Sequence, residues 1–404
     1  MPMKSRAVFG AASLSLLAAG PAVMAEESQL RAFDGMAKYG VEFSADYVIE
    51  TMSVLDGGIR GGTSVNGLGL AGFDVDLEKA TGFWSGGSLR ISALWLHGDS
   101  PTGKRIGDGQ AASNIEGYDS IRFYEFFIDQ TVIGGLNLRA GLLLADEEFA
   151  TMEYSGVLYN SAFGWPQWVS ANTFNTGPAF FVTTPGIRLR YDFNDALYVQ
   201  AGIYDGDSFD DPAGGDSRKN SNGTRLHFSA DQGSFSMYEL GWTRAGGEGA
   251  EAMPTTVKLG AWLHTGRFAD TSAAGVTHNN NYGVYGSVEQ MVYREAEDQG
   301  LGVWFRAGGS PKDRSAYDFS FDTGLQYVGL VPGRDADAMA MGAAYTDSST
   351  PGNAPYELAL EVAYDFVVND HMSLQPSLQR IINPGAPGAV ADATVFGLRA
   401  NFSF

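Results

Sequence analysis

Charged and aromatic side chains recur at alternate positions along short apolar segments of this 404-residue sequence. The basic residues that share this face are Arg90, Arg139, Arg188, Arg190, Lys258, Arg306 and Arg399. The acidic residues on it are Glu125, Asp129, Glu239, Glu289, Glu357 and Glu361. The aromatic residues on it include Tyr198, Tyr204, Trp262 and Trp304.

Arginine and carboxylate groups that face each other across a water-filled space create a transverse electric field. They also offer hydrogen-bond donors and acceptors to hydroxyl groups, and the planar guanidinium suits such fixed recognition. The pattern therefore predicts a polar lumen that recognises small hydroxylated solutes. The alternative is that many of these charges pair with their neighbours and hold a wall rigid.

A second group of aromatic residues lies in a long polar stretch from Asp146 to Pro178. Its members include Phe149, Tyr154, Tyr159, Phe163, Trp165, Trp168 and Phe174. Because so much apolar surface is not expected to stay in water, we predict that this stretch folds inward and constricts a pore. Aromatic faces can stack on the C–H faces of sugar rings. The alternative is a small loop core that only fills space.

The histidines form no recognisable catalytic or metal-binding motif. His97, His227, His264, His278 and His371 include no pair at helical spacing, and the sequence has no cysteine to complete a zinc site. A Gly-x-Ser-x-Gly elbow is also missing from the sequence. We predict no catalytic residue, no metal and no cofactor, although a hydrolase on a barrel wall stays open because Ser–His geometry need not be sequential.

The alternation itself predicts the elements that carry these residues. At the end of the chain, Phe396, Leu398 and Phe402 share one face of an extended segment, while Arg399 and Asn401 share the other. Such alternation is typical of a strand with one face on lipid and the other on water. About sixteen segments show it: 38–51, 64–79, 87–98, 119–133, 136–145, 179–193, 196–205, 234–246, 255–266, 281–293, 301–309, 316–331, 336–347, 356–368, 371–382 and 392–404.

The connections between these segments alternate in length. Gly134-Gly135, Asn194-Asp195 and Asn369-Asp370 are tight-turn pairs, whereas 99–118 and 146–178 are long and polar. Short turns on one rim and long loops on the other are typical of an outer-membrane antiparallel β-barrel, and sixteen strands enclose an aqueous lumen. A soluble sandwich or propeller predicts no such asymmetry, and a metal-chelate receptor needs a larger barrel with a plug domain.

The N-terminus predicts export. Met1 to Ala25 carries Lys4 and Arg6, an apolar run and a small-residue cleavage pattern, as a signal peptide does. No later segment has ~18 consecutive apolar residues, so a membrane form must be a closed barrel. The formal net charge of −21 argues against nucleic acid as a partner. We predict a signal peptide (1–25), a short periplasmic or plug segment (26–37) and a barrel (38–404) in a Gram-negative outer membrane.

Several stretches together match the pattern of a known family. In chain order they are Leu136 to Gly141, Ala145 to Phe149, Asn160 to Gly164, Ala201 to Gly206, Lys258 to Gly266, Gly329 to Arg334, Leu374 to Gln379 and Ile382 to Gly385. This ordered set resembles the carbohydrate-selective porins of the OprB type. The family's N-terminal plug segment is longer than the stretch from Glu26 to Tyr39 here.

The resemblance implies a sixteen-stranded porin for passive diffusion of glucose-like sugars. It also implies that Glu125 and Arg139 lie at the pore, where the family places charge. Hydroxylated acids such as quinate stay open as alternative solutes, since fold alone does not determine the solute. Expected partners are neutral sugars, outer-membrane lipid and lipopolysaccharide, and the barrel-assembly machinery through the C-terminal Phe404.

Overall fold

The computed structural model describes residues 33, 35–209, 220–228, 230–246, 253–296, 298–349, 355–385 and 390–404. The predicted signal peptide, 1–25, lies outside the described residues, and so do residues 26–32 and 34 of the predicted segment 26–37. Within the described part, sixteen antiparallel strands form one closed barrel, and two short strands pair separately.

The strands follow one another in chain order around the wall, with the first and the last paired to close it. Their bounds are β1 Val41–Gly58, β2 Gly62–Asp76, β3 Gly87–Gly98, β4 Ser120–Ile133, β5 Leu136–Leu143, β6 Thr184–Asp192, β7 Leu197–Asp205, β8 Ser234–Arg244, β9 Thr255–His264, β10 Phe268–Ala269, β11 Thr277–His278, β12 Asn281–Arg294, β13 Gly300–Gly309, β14 Phe319–Val328, β15 Ala338–Asp347, β16 Tyr356–Asn369, β17 Met372–Ile382 and β18 Ala391–Ser403. Of these, β10 and β11 form the separate hairpin.

Helical segments are short and lie in the connections. Among the described residues two are α-helical, α1 (Leu77–Thr81) and α2 (Gln167–Ser170). The 3-10 turns are Ala37–Tyr39, Ser161–Phe163 and Phe174–Thr176, and Thr102–Ile106 is a π-helical turn. In the described part of the chain, no helix has the length and apolar character needed to cross a bilayer.

The predicted barrel of about sixteen strands is confirmed, and each predicted segment overlaps one strand. The largest difference is in the first strand: 38–51 was predicted, whereas β1 spans Val41–Gly58 and continues seven residues beyond the predicted end. The strand also begins three residues later than predicted. Residues Ala37–Tyr39 form a 3-10 turn instead, which ends at Gly40 with φ of 78°. Glycine adopts this left-handed conformation without the strain that a Cβ would cause, so the chain turns there into the strand.

The alternation of faces follows the predicted parity. On β18, Leu398 is 44 % exposed on the outside of the barrel, whereas its neighbour Arg399 is 2 % exposed inside. An exposed row of apolar side chains suits contact with lipid, and the polar row is left to line the interior.

The two rims differ in their connections. The turns at Gly134-Gly135 and at 370–371 lie on the same rim as the C-terminal end of β18. The long connections 99–119 and 144–183 lie on the opposite rim, which we call the loop rim. Residues 144–183, the inserted loop, do not stay at that rim, because loop residues such as Phe149, Phe163 and Trp168 join the buried clusters inside the barrel.

Candidate pore and inserted loop

The inserted loop is held to the wall by inward-facing glutamates. Glu239 on β8 accepts a hydrogen bond of 2.9 Å from the backbone N–H of Ala150. Glu289 on β12 accepts hydrogen bonds from the N–H groups of Glu153, at 2.5 Å, and Tyr154, at 3.2 Å. Both side chains were predicted to line the pore. They face inward as expected, but their carboxylates are occupied by loop backbone.

A third anchor lies farther round the barrel. Glu361 on β16 accepts hydrogen bonds from the N–H groups of Tyr159, at 2.8 Å, and Asn160, at 3.0 Å. It also accepts one from the Ser377 hydroxyl at 2.7 Å. Charged acceptors make stronger hydrogen bonds than neutral ones. The loop therefore runs along the inner wall from β8 to β16, fixed at successive points.

Arg306 on β13 anchors the carbonyl groups of the same loop. Its side chain is fully buried, and its Nε donates a hydrogen bond of 2.8 Å to Asp322. Its two terminal nitrogens donate to four loop carbonyl oxygens: Ala150 at 2.5 Å, Phe163 at 2.8 Å, and Ala162 and Gly164 at 3.0 Å. The three nitrogens of the guanidinium thus all donate, to one carboxylate and to the loop backbone.

Arg399 and Glu50 form a buried ion pair between β18 and β1, with an N–O distance of 2.8 Å. Arg399 also donates to the side chain of Asn114 at 2.7 Å, and its guanidinium lies 4.0 Å from the ring centre of Tyr159. This group joins the closing strands to the 99–119 connection and to the inserted loop.

Arg90 and Glu125, both predicted to line the pore, pair with each other between β3 and β4 at 3.2 Å. Glu125 also accepts a hydrogen bond from the Ser92 hydroxyl at 2.8 Å, and Arg90 contacts Asp74 at 2.5 Å. The two charges lie side by side on adjacent strands rather than opposed across the lumen.

Two further arginines share two carboxylates. Arg139 contacts Asp129 at 2.7 Å and Glu148 at 2.5 Å, and Arg188 contacts Glu148 at 3.0 Å and Asp129 at 3.5 Å. Asp129 belongs to the wall, whereas Glu148 belongs to the inserted loop. The quartet carries no net charge and ties the start of the loop to β4, β5 and β6.

Arg190 and Lys258 complete the predicted basic set. Arg190 pairs with Asp192 at 3.0 Å, and its guanidinium lies 3.8 Å from the ring centre of Tyr198. Lys258 donates hydrogen bonds of 2.6 and 2.7 Å to the backbone and hydroxyl oxygens of Thr151 in the loop.

Four predicted solute-stacking aromatics are covered by protein. Phe149 and Trp168 are fully buried, and Trp262 and Trp304 are 1 % and 2 % exposed. Trp168 stacks on Tyr285 with ring centres 4.7 Å apart. The expectation that these faces meet a sugar ring is therefore not met. They pack the loop against the wall, because loop insertion covers this part of the lumen.

Two other predicted loop aromatics, Trp165 and Tyr154, are less completely covered. Trp165 lines a cleft inside the barrel and donates from its indole N–H to the Thr176 carbonyl at 2.8 Å. Tyr154 is half-buried over Gly302, where an added Cβ would meet its ring at 2.5 Å. Gly302 thus permits the close approach of the loop to β13.

Two neighbouring spaces lie between the long connections in the described part of the chain. A vestibule of about 760 Å³ at the loop rim has walls from the 99–119 and 144–183 connections. A narrower cleft of about 100 Å³ lies beside the inserted loop. Asn114, Ser161, Trp165 and Phe180 line both spaces, so the two spaces adjoin each other at these residues.

Two acidic loop residues line the cleft. Asp146 accepts a hydrogen bond of 2.9 Å from the N–H of Phe180, but burial raises the pKa of its carboxyl to about 7. Burial, and then the charges of Glu125 and Asp146, raise the pKa of Glu147 well above its usual range. At neutral pH this part of the cleft therefore offers carboxyl donors as well as acceptors.

Several partners of the predicted residues were not identified from the sequence. Glu50 and Asp322 share the inward parity of their strands, so the pattern contained a signal for them. Glu148 and Asn114 lie in irregular connections, where no alternating pattern exists to assign a side chain inward or outward. Glu357, predicted to face inward, accepts hydrogen bonds from the N–H groups of Gly109 at 2.8 Å and Gln110 at 2.9 Å, which alternation could not indicate.

Comparisons with known proteins give one consistent result. The profile of the family described as carbohydrate-selective porin, OprB family, matches residues 63–404. Porin B of Pseudomonas aeruginosa is 24% identical over 416 residues, covering 90% of this chain and 88% of that protein. The high-pH structure of Pseudomonas putida OprB has a TM-score of 0.80 at 21% identity, covering 92% of this chain and 96% of that one. A loop-deletion mutant of Vibrio cholerae OmpT has a TM-score of 0.52 at 10% identity, covering 90% and 99%.

Proposed function

Because this chain belongs to the OprB family of carbohydrate-selective porins, we propose that it lets neutral, glucose-like sugars diffuse passively through its lumen. The family and the barrel place the protein in the Gram-negative outer membrane as a porin. Proteins with this family membership and fold are known as channels rather than as enzymes. The solute class is the part that needs an argument from this chain.

The set of residues that line both the vestibule and the cleft is the observation that carries the proposal. Trp165 and Phe180 offer apolar faces there, and Asn114 and Ser161 offer hydrogen-bonding groups. A sugar has C–H faces and hydroxyl edges, so this combination suits it. Because a conducting site must also release its solute, we expect an affinity near the millimolar range, about −4 kcal/mol.

The charge pairing of the wall favours a neutral solute over an acid. Arg90, Arg139, Arg188, Arg306 and Arg399 each contact a protein carboxylate, at N–O distances from 2.5 to 3.2 Å. A carboxylate solute would have to displace one of these partners before it could bind an arginine. Asp146 lines the cleft, and because its pKa is about 7 its carboxylate would repel an acid at pH values above this.

The remaining expectations are part of the same proposal. The chain is exported through a signal peptide cleaved after Ala25, and the loop rim faces the cell exterior and its lipopolysaccharide. Phe404 resembles the terminal signal that the barrel-assembly machinery recognises, and its N–H donates to the Ala45 carbonyl at 2.9 Å.

Liposome swelling tests the solute class. Protein reconstituted in liposomes is exposed at low salt to glucose and to quinate, which has a similar size. We expect faster swelling in glucose, and protein-free liposomes provide the baseline. Rapid uptake of quinate with exclusion of glucose would overturn the sugar proposal and favour the acid channel, while leaving the porin family and fold unaffected.

A further inference from the structure

A small hairpin at the loop rim brings histidine and carboxylate side chains together. Strands β10 and β11 pair Phe268 with His278, so that Asp270 and His278 are neighbours across the hairpin. We propose that Asp270, His278 and Asp313 form a binding site for a divalent transition-metal ion such as Zn²⁺. One ligand atom from each of the three lies within 4.8 Å of the other two.

The distances suit ligands of one ion. The His278 Nε2 atom lies 2.9 Å from Asp270 Oδ2 and 3.7 Å from Asp313 Oδ2. Two zinc–ligand bonds of about 2.0–2.1 Å at a tetrahedral angle place their outer atoms ~3.3 Å apart. The two observed distances lie on either side of this value, so small side-chain adjustments bring the three atoms to a common centre.

The Asp270 carboxylate is oriented by its second oxygen. Asp270 Oδ1 accepts hydrogen bonds from the Ser272 N–H at 2.8 Å, the Ser272 hydroxyl at 3.0 Å and the Ala273 N–H at 2.8 Å. These bonds leave Oδ2 directed at His278. Such outer contacts hold a ligand in position and are typical of the shell around metal sites.

The third ligand comes from a different connection, which is fixed to the hairpin. Thr271 donates from its N–H to the Asp313 carbonyl at 2.8 Å and from its hydroxyl to the Lys312 carbonyl at 2.9 Å. The two connections are therefore aligned by backbone contacts before any ion binds, which lowers the cost of assembling the site.

Charge also favours a cation. Asp270 and Asp313 supply two negative charges, and Arg314 supplies one positive charge by pairing with Asp313 at 2.8 Å. With His278 neutral, the group keeps a net negative charge that a divalent ion would offset. Arg314 competes for the Asp313 carboxylate, so it limits affinity. The plain alternative is an ion-free Asp270–His278 hydrogen bond.

The ligand set determines the class of ion. One imidazole nitrogen with two carboxylates suits zinc, nickel or copper, whereas calcium and magnesium prefer oxygen ligands throughout. All three side chains are partly exposed, so water can complete the coordination. Bound there, the ion would link the hairpin to the 310–318 connection and stabilise the loop rim.

Calorimetric titration of the folded, full-length protein with ZnCl₂ tests the site. The protein is purified in detergent, treated with EDTA, dialysed and titrated near neutral pH. We expect one equivalent to bind the wild type. His278→Gln and Asp313→Asn should each weaken binding by about tenfold or more. His371→Gln, which changes an exposed histidine on the opposite rim, is the matched control and should bind as the wild type does.

The outcomes separate the proposal from its alternative and from the solute question. Folding of each variant is verified by its shifted gel migration without heating, and Asp313→Asn leaves the hairpin residues unchanged. No saturable Zn²⁺ binding by the wild type would overturn the proposal. Equal Zn²⁺ affinity in His278→Gln and the wild type, or equally strong Ca²⁺ binding, would do the same. None of these results depends on whether sugars permeate.

Discussion

The guanidinium of Arg306 donates a hydrogen bond of 2.8 Å to the carbonyl oxygen of Phe163, which lies 143 residues earlier in the chain. The contact joins the barrel wall to the inserted loop inside the barrel. It gives an inward-facing arginine a positioning role, because the side chain acts on the solute path through the loop that it holds. The consequences can be measured in several ways.

Arg306→Lys should enlarge the pore without abolishing the barrel. Lysine keeps the charge beside Asp322 but replaces a planar fork with a single ammonium, so it cannot hold four carbonyl oxygens in the same geometry. We expect larger and noisier single-channel KCl conductance, and faster liposome swelling in disaccharides. Arg190→Lys is the control, because the guanidinium of Arg190 contacts the strand residues Asp192 and Tyr198. Unchanged conductance in Arg306→Lys would contradict the positioning role.

Arg139→Ala should shift ion preference towards cations. The substitution leaves Asp129 and Glu148 with Arg188 as their common partner, so the quartet gains one net negative charge. The reversal potential in a KCl gradient measures this shift. Arg139→Lys keeps the charge and should behave like the wild type. Because a buried pair is broken, Arg139→Ala should also lower the unfolding free energy, by about 3–5 kcal/mol at most.

Asp146 should make ion preference depend on pH. Its pKa is raised to about 7 by burial, so the carboxyl is mostly neutral below this pH and ionised above it. Cation preference should therefore rise between roughly pH 6 and roughly pH 8, and Asp146→Asn should reduce the change. Asp195→Asn, at an exposed turn on the opposite rim, is the control. A wild-type response that persists fully in Asp146→Asn would exclude this carboxyl as its source.

The same pKa shift has a consequence for stability. The native state holds the Asp146 proton more tightly than the unfolded chain does, because the pKa is raised from its ordinary 3.8. The contribution of Asp146 to the unfolding free energy should therefore fall as pH rises from about 4 to about 7. The unfolding free energy of Asp146→Asn, measured by urea unfolding, should therefore depend less on pH over that interval than that of the wild type does. If the unfolding free energies of the variant and the wild type changed identically with pH, this prediction would be contradicted.

Leu398→Arg should impair folding, because this side chain faces outward from β18 and is 44 % exposed. A charge on the lipid face costs ~2–4 kcal/mol near the bilayer midplane. Urea unfolding of protein reconstituted in lipid measures the cost. Leu398→Ala shortens the side chain without adding charge, so its unfolding free energy should fall much less. Equal stability of the two variants would mean that this face does not meet lipid.

Deleting Phe404 should lower the yield of folded protein in the outer membrane. The deletion removes the terminal aromatic residue and its backbone hydrogen bonds with Ala45, at the seam between β18 and β1. The folded fraction is measured from unheated gel migration of membrane samples. Phe404→Tyr retains an aromatic terminus and should assemble normally. Normal assembly of the deletion would exclude Phe404 as an assembly signal.

The sequence predicted the wall well because one physical rule determines it. A strand between lipid and water must alternate, so parity alone assigned Arg399 inward and Leu398 outward. The same rule placed β16 at 356–368, against Tyr356–Asn369 in the structure. Errors concentrate where alternation is absent, as at the 3-10 turn of Ala37–Tyr39 that precedes β1.

The contacts of the inward side chains could not be predicted in this way. Alternation gives a face but no partner, and the partners of Glu239, Glu289 and Glu361 are backbone N–H groups of the inserted loop. Backbone groups have no sequence signal, and the loop has no period that fixes its path. Whether the remaining pore residues contact a solute stays a prediction, which the permeation experiments above address.

The inserted loop also constrains the order of assembly. Tyr159 is made 202 residues before Glu361, the side chain that holds it, and most other anchors of the loop also follow it in the chain. Contacts of such long sequence separation form late, since the intervening chain must first be ordered. The seam contact between Arg399 and Glu50 spans 349 residues, which is longer still. The same rule therefore places anchoring of the loop before closure of the wall, so that the barrel is sealed around a constriction already in place.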